Sequence, residues 1–280
     1  MIPGARVTAG AIGSVIDLRT PRTGRVHSVF AHAVNLELGQ DMWTVVAPGG
    51  CDGAFTVRLS GVVVPGDLGL RIHDPVYVRS GHVRAGATVI DARTAVRWMP
   101  QSYDVDLDGL GERVAELEAA ARDVAWEGSW TLAGAVAGAL ASARPADLDE
   151  AVRRALGRGP GLTPAGDDVL AGILAVLTAP SLAPGAGGAR EPVAARLRAA
   201  LAPALPATTQ ISRALLSQAS HGRVSRPVWE LVSAVLSGRA PSAPARADVL
   251  SLGATSGGDT CAGLAAACRL LSRSLEGIKA

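Results

Sequence analysis

Residues 159–172 read GPGLTPAGDDVLAG, and residues 257–263 return as GGDTCAG. Both contain the pattern Gly-x-Asp-x-x-Ala-Gly, from Gly166 to Gly172 and again from Gly257 to Gly263. Each copy sets glycines and a carboxylate at the start of an apolar helix, where the first backbone N–H groups lack intrahelical partners. Helix starts of this kind favour ligands. Two related starts therefore predict a helical unit with one small-ligand site built from both, and the 91-residue offset fits an internal two-fold arrangement. Aligning Gly172 with Gly263 sets Asp168 opposite Asp259, while Asp167 falls on Gly258. Adjacent helical residues point about 100° apart, so Asp167 and Asp168 cannot face one spot. Asp168 and Asp259 are the expected catalytic pair, with Asp167 as a cap or support. The plainer alternative is a well-capped helix connection, in which the acids merely answer the helix dipole.

The helical period extends on both sides of these loops, from about residue 108 onward. Asp147 is placed to cap a helix carrying Leu148, Val152 and Leu156, ended by Gly157. Thr208 or Thr209 opens a second, with Ile211, Leu215 and Ala219 on one face and Gly222 as its stop. Ser225 opens a third, with Pro227 in its first turn and Leu231, Val232, Val235 and Leu236 buried, up to Gly238. About eight helices are expected in this half on periodicity. Residues 179–192 and 237–247 read as Ala/Pro/Gly-rich connectors.

The first hundred residues follow a different grammar. Residues 25–38, 42–47, 54–64, 76–79 and 87–98 are rich in Val, Ile, Thr, Phe and Trp. Phe55, Val57 and Leu59 alternate with Thr56, Arg58 and Ser60 as on a half-buried strand. Pro65-Gly66-Asp67 and Arg84-Ala85-Gly86 read as turns. The fold class expected is α+β: an N-terminal antiparallel β barrel or sandwich over residues 1–104, then an all-α helical domain over residues 105–280.

Composition narrows the function. Of 280 residues, 48% are apolar, enough to bury a core and to exclude general disorder. A net charge of +2 is too small to argue for nucleic acid or an anionic membrane. Lys279 is the only lysine, and the arginine excess in an Ala/Gly/Pro-rich chain reads as coding bias rather than phosphate recognition. Cys51, Cys261 and Cys268 lack metal spacing and suit a reducing, cytoplasmic setting. Residues 1–16 do not have the build of a signal peptide, and the apolar stretches Leu132–Ala143 and Val169–Ala179 are too short to span a bilayer.

The loop at 159–172 is no P-loop, because no Gly-Lys-Ser/Thr follows, and no Rossmann turn, because a helix rather than a strand precedes it. His27, His32, His73, His82 and His221 have no zinc-ligand spacing. The ligand-contacting set expected beside the two acids is Gly159, Gly161, Thr163, Gly166, Asp167, Thr209, Ser212, Arg213, Ser256 and Gly257. No cofactor is called for, although Asp168 and Asp259 could hold Mg²⁺.

Three signatures resemble one family: Gly-x-Gly-Leu-Thr-Pro-x-Gly-Asp-Asp at 159–168, Thr-Thr-x-x-Ser at 208–212, and Gly-x-Thr-Ser-Gly-x-Asp at 253–259. They look like the AllH-type family of oxamate carbamoyltransferase subunits, formerly a family of unknown function. The N-terminal His27-Ser28-Val29-Phe30 with Asn35 is similar to that family's first strand. Ala165 and Ala254 depart from it, standing where serine and histidine are frequent. The resemblance implies allantoin-derived purine nitrogen catabolism, with exchange of oxalurate plus phosphate for oxamate plus carbamoyl phosphate. It also implies two other subunits, one similar to acyl-CoA synthetases. Carried over by motif, the glycines and Asp168 would line the site, and Thr209, Ser212 and Ser256 would supply hydrogen bonds. Two other readings stay open, a non-catalytic scaffolding subunit and a stand-alone Mg²⁺-dependent enzyme acting on a phosphate ligand.

Overall fold

The computed structural model describes residues 4–142, 144–180, 190–239, 241 and 243–279, with side chains described up to residue 273. The chain divides into two compact units, Met1–Met99 and Pro100–Ala280. Each has its own apolar core.

The first unit carries β1 (Arg6–Gly13), β2 (Arg22–Val29), β3 (Ala33–Leu38), β4 (Asp41–Val46), β5 (Thr56–Leu59), β6 (Pro75–Arg79), β7 (His82–Ala85), β8 (Thr88–Asp91) and β9 (Val96–Trp98). Neighbours run β5-β4-β3-β2-β6-β7-β8-β1, and β1 pairs back onto β5, which closes an eight-stranded barrel. β9 lies beside the second half of β1. Most pairs are antiparallel; β1 with β8, β1 with β9 and β4 with β5 are parallel. Alternate residues fill the interior, as the two-residue strand period requires: Val34 and Leu36, Trp43 and Val45, Val57 and Leu59, and Val76 and Val78 are all buried.

The α+β expectation, with a barrel followed by helices, holds. Its strand boundaries need correction. The runs at 25–38 and 87–98 each contain two strands. β1 (RVTAGAIG) and β7 (HVRA) escaped the sequence reading, because one is rich in small residues and the other has only four. Arg84 and Ala85 are paired strand residues rather than a turn. The chain reverses at Gly86-Ala87, where Gly86 takes φ 52°.

The second unit contains α1 (Leu110–Ala121), α2 (Ser129–Ala141), α3 (Pro145–Ala155), α4 (Ala165–Thr178), α5 (Arg190–Ala204), α6 (Gln210–Ala219), α7 (Arg226–Leu236), α8 (Ala243–Leu250) and α9 (Ser256–Lys279). These are nine α-helices among the described residues. The stretch at 237–247 is not all connector, since α8 begins inside it, and α5 begins inside 179–192. Residues 181–189 of that second connector lie outside the described residues. Asp147 is not a cap. It sits in the first turn of α3 behind Arg144 and Pro145, and its carboxylate accepts from Ser142 Oγ at 2.9 Å. Gly157 does end that helix region, at φ 71°. No helix among the described residues is long and apolar enough to cross a membrane.

Helices α4 and α9, the two carriers of the repeat, form the most extensive helix pair. α4 is buried on nearly every side, with Val169, Leu170, Ile173, Leu174 and Val176 at no exposure. That is the pattern of a central helix. The repeat glycines set the crossing. A Cβ on Gly172 would fall 2.1 Å from the Thr260 carbonyl oxygen, and one on Gly263 would fall 2.0 Å from that of Val169. Val169 and Thr260 hold the same place in the two copies, so the contact is reciprocal. Only hydrogen at these two positions lets the backbones approach so closely.

Candidate functional site

Helices α4 and α9 begin close together, and hydroxyl groups tie their starts. Thr163, just before α4, donates from Oγ1 to Asp168 Oδ2 at 3.1 Å and lies 3.0 Å from Ser256 Oγ at the head of α9. Asp168 is 6% exposed. Burial pushes its carboxyl up to about 8, against opposing hydrogen bonds from Ser256 and Thr163, and the neighbouring Asp259 and Asp167 carboxylates push it further the same way. The Asp168 carboxyl is therefore largely protonated at neutral pH.

Asp259 is fully buried at 0% exposure. Its Oδ1 accepts from the Trp126 backbone N–H at 2.8 Å and from Ser129 Oγ at 2.6 Å. Its Oδ2 is buried without a hydrogen-bond partner. Asp167, 2% exposed, points elsewhere: Oδ1 accepts from the Gly157 N–H at 2.7 Å and Oδ2 from Thr208 Oγ1. It ties the end of α3 and the approach to α6 onto α4. The three acids thus link the starts of α2, α4, α6 and α9. Among the described residues none of them forms an ion pair with a basic side chain.

The amides at these helix starts are mostly occupied. Gly166 N donates to Arg158 O, Asp167 N and Asp168 N to Pro164 O, Gly257 N to Leu252 O and Asp259 N to Thr255 O. Five of the N–H groups expected from sequence to be open are thereby consumed, while the buried Asp259 Oδ2 is an acceptor left without a partner.

The structure brings Thr163, Asp168, Ser256 and Asp259 together at the paired starts of α4 and α9, with Gly166 and Gly257 beside them in the first turns. An added Cβ on Gly166 would meet the Ala155 carbonyl oxygen at 1.8 Å, and one on Gly257 that of Val249 at 2.0 Å. Those two glycines therefore serve close packing. Gly159 and Gly161 shape the loop ahead of α4 with φ of 96° and 102°. Thr209 caps α6, accepting the Ser212 N–H at 3.1 Å and donating to the Leu162 carbonyl oxygen at 3.0 Å. Ser212 is 1% exposed, and its Oγ has no partner. Arg213 is not drawn into this cluster; it is exposed, with no side-chain partner among the described residues. Replacing Thr209 by Ala is expected to cost about 1 kcal/mol, read as a shift in the denaturant midpoint.

Trp126 and Ser129 were missed by sequence reasoning, and Gly157 was read only as a helix stop. Ser129 carried a weak signal, a hydroxyl just before an apolar helical run. Nothing local tied it to Asp259, 130 residues away. Among the described residues no group of three His, Cys, Asp or Glu is arranged to hold a metal ion.

Residues 155–268 match the family model described as oxamate carbamoyltransferase subunit AllH, and residues 8–97 match the AllH family N-terminal domain. Comparison with curated proteins and with solved structures gives no match. The first match contains all three signature motifs and every residue of the acid cluster except Trp126 and Ser129, and the second falls within the barrel unit. Together the two cover most of the chain, which belongs to the AllH family of oxamate carbamoyltransferase subunits.

Proposed function

We propose that the chain serves an oxamate carbamoyltransferase complex of allantoin-derived purine nitrogen catabolism, in the cytoplasm, and that Asp168 and Asp259 line its carbamoyl-transfer site. The observation that carries this reading is the fully buried, unpartnered Asp259 Oδ2 beside a second buried carboxyl raised to about 8. A buried acceptor left unmade is costly, and such costs concentrate at functional sites. The three cysteines are free, which accords with a reducing compartment.

In the proposed reaction a phosphate oxygen attacks the ureido carbonyl carbon of oxalurate. The tetrahedral intermediate collapses as the bond to the oxamate nitrogen breaks, giving carbamoyl phosphate and oxamate. The leaving nitrogen needs a proton, and a neutral Asp168 carboxyl is suited to give it. Asp259 Oδ2 accepts an N–H of the ureido group and fixes its orientation. A Mg²⁺-dependent reading would rest on this carboxylate pair alone, and no observation favours it.

The test is turnover of the assembled complex, followed as carbamoyl phosphate formed from oxalurate and phosphate. Asp168→Asn and Asp259→Asn are each expected to lower kcat by about 10²–10⁴-fold while the subunits still co-elute. Unchanged turnover with intact assembly would show instead a scaffolding chain.

A further inference from the structure

The chemistry of the cluster is one-sided. Three buried acids sit in the first turns of α4 and α9, Asp167 turned toward Gly157 and Thr208, and among the described residues none is ion-paired. Five of the first-turn amides that would greet an anion, those of Gly166, Asp167, Asp168, Gly257 and Asp259, already donate to the carbonyls of Arg158, Pro164, Leu252 and Thr255. The two donors nearest Asp259, the Trp126 N–H and Ser129 Oγ, are both spent on its Oδ1. Among the buried side-chain atoms of this cluster, Asp259 Oδ2, an acceptor, and the Ser212 hydroxyl have no partner, both on side chains more than nine-tenths buried.

We infer that this site is an acceptor subsite: it takes an uncharged –CO–NH2 group through its N–H bonds, and the phosphate of the reaction binds outside it. The inference rests on the carbamoyl-transfer reading and divides the substrates between two places. An amide or ureido nitrogen offers N–H donors and no net charge, so it meets Asp259 Oδ2 without a Coulombic cost. A phosphate dianion offers only acceptors and negative charge. It would stand against carboxylates in a site of low dielectric, where repulsion is strongest, and no basic side chain is ion-paired to those carboxylates among the described residues. The raised Asp168 carboxyl already records that the site tolerates added negative charge poorly.

The test uses the full chain and two probes, methylurea and inorganic phosphate, followed by ligand-observed NMR. Methylurea is expected to bind the parent protein, and phosphate is expected not to displace it. Asp259→Asn keeps an acceptor for Trp126 and Ser129 and places an NH2 donor where Oδ2 stood. That variant should weaken methylurea by about tenfold or more. Displacement of methylurea by phosphate, equal affinity in Asp259→Asn, or no methylurea binding would each overturn the inference. The competition arm needs no variant, so a poorly folded Asp259→Asn leaves it decisive. Turnover separates the two readings. If phosphate displaces methylurea while turnover still collapses in the Asp variants, only the division of substrates falls. If turnover is untouched in those variants, the carbamoyl-transfer reading falls.

Discussion

Asp168→Asn is expected to raise the thermal midpoint of the protein at pH 8 while removing turnover. The carboxyl titrates near 3.8 when free and at about 8 in the folded chain, chiefly because burial disfavours its charged form. Between those values the folded state holds a proton that the unfolded state has released. The stability that this group contributes is therefore fullest below about pH 4, declines as pH rises through the window, and levels off above the folded value. A shift of this size corresponds to roughly 6 kcal/mol. Asparagine cannot ionise, keeps an oxygen to accept from Thr163, and turns an NH2 toward neighbours that are acidic. Guanidinium unfolding at pH 5, 6.5 and 8 checks the claim. The parent should lose stability along that series and the variant should keep much more of it. Parallel curves would mean that Asp168 titrates normally and that its burial has another compensation.

Gly172→Ala and Gly263→Ala carry the other large effect, on folding itself. Each new methyl would meet a carbonyl oxygen of the opposing helix at about half the usual contact distance, 2.1 Å and 2.0 Å respectively. Neither obstacle is a side chain that could swing aside. Helices α4 and α9 must separate, at an expected cost of about 3 kcal/mol for either change. The two positions share one crossing, so the double variant should lose clearly less than the sum of the singles. The separation would also pull apart Thr163 and Ser256, so turnover should fall even where the variant remains folded. Gly134→Ala is the matched control, because that glycine faces open space within 4 Å and Ala is the better helix former. It should be neutral or mildly stabilising.

The repeat and the helix punctuation were legible because they are local. Gly157, Gly222 and Gly238 take positive φ where each helical run ends, and Thr209 caps α6. The alignment that set Asp168 opposite Asp259 also holds in three dimensions, since the glycine six residues after the start of each pattern meets the other copy. Less was visible where the cause is distant. Barrel closure depends on β1 pairing with β5 and β8, and the Gly and Ala of β1 give no strand signal of their own. Ser129 and Trp126 meet Asp259 only through folding. The repeat alignment set Asp168 apart from Asp167 in sequence but named no partner for either; Asp167 is fully engaged with Thr208 and Gly157, while Asp168 faces Thr163.

Closure of the barrel also limits how other chains can join the first unit. A ring whose every member is flanked on both sides offers no main-chain groups for an incoming extended peptide to zip onto. Among the described residues the exception is the outer side of Val96–Trp98, three residues long. Recruitment by this unit must therefore work through side-chain surfaces, with backbone augmentation confined to that short lip.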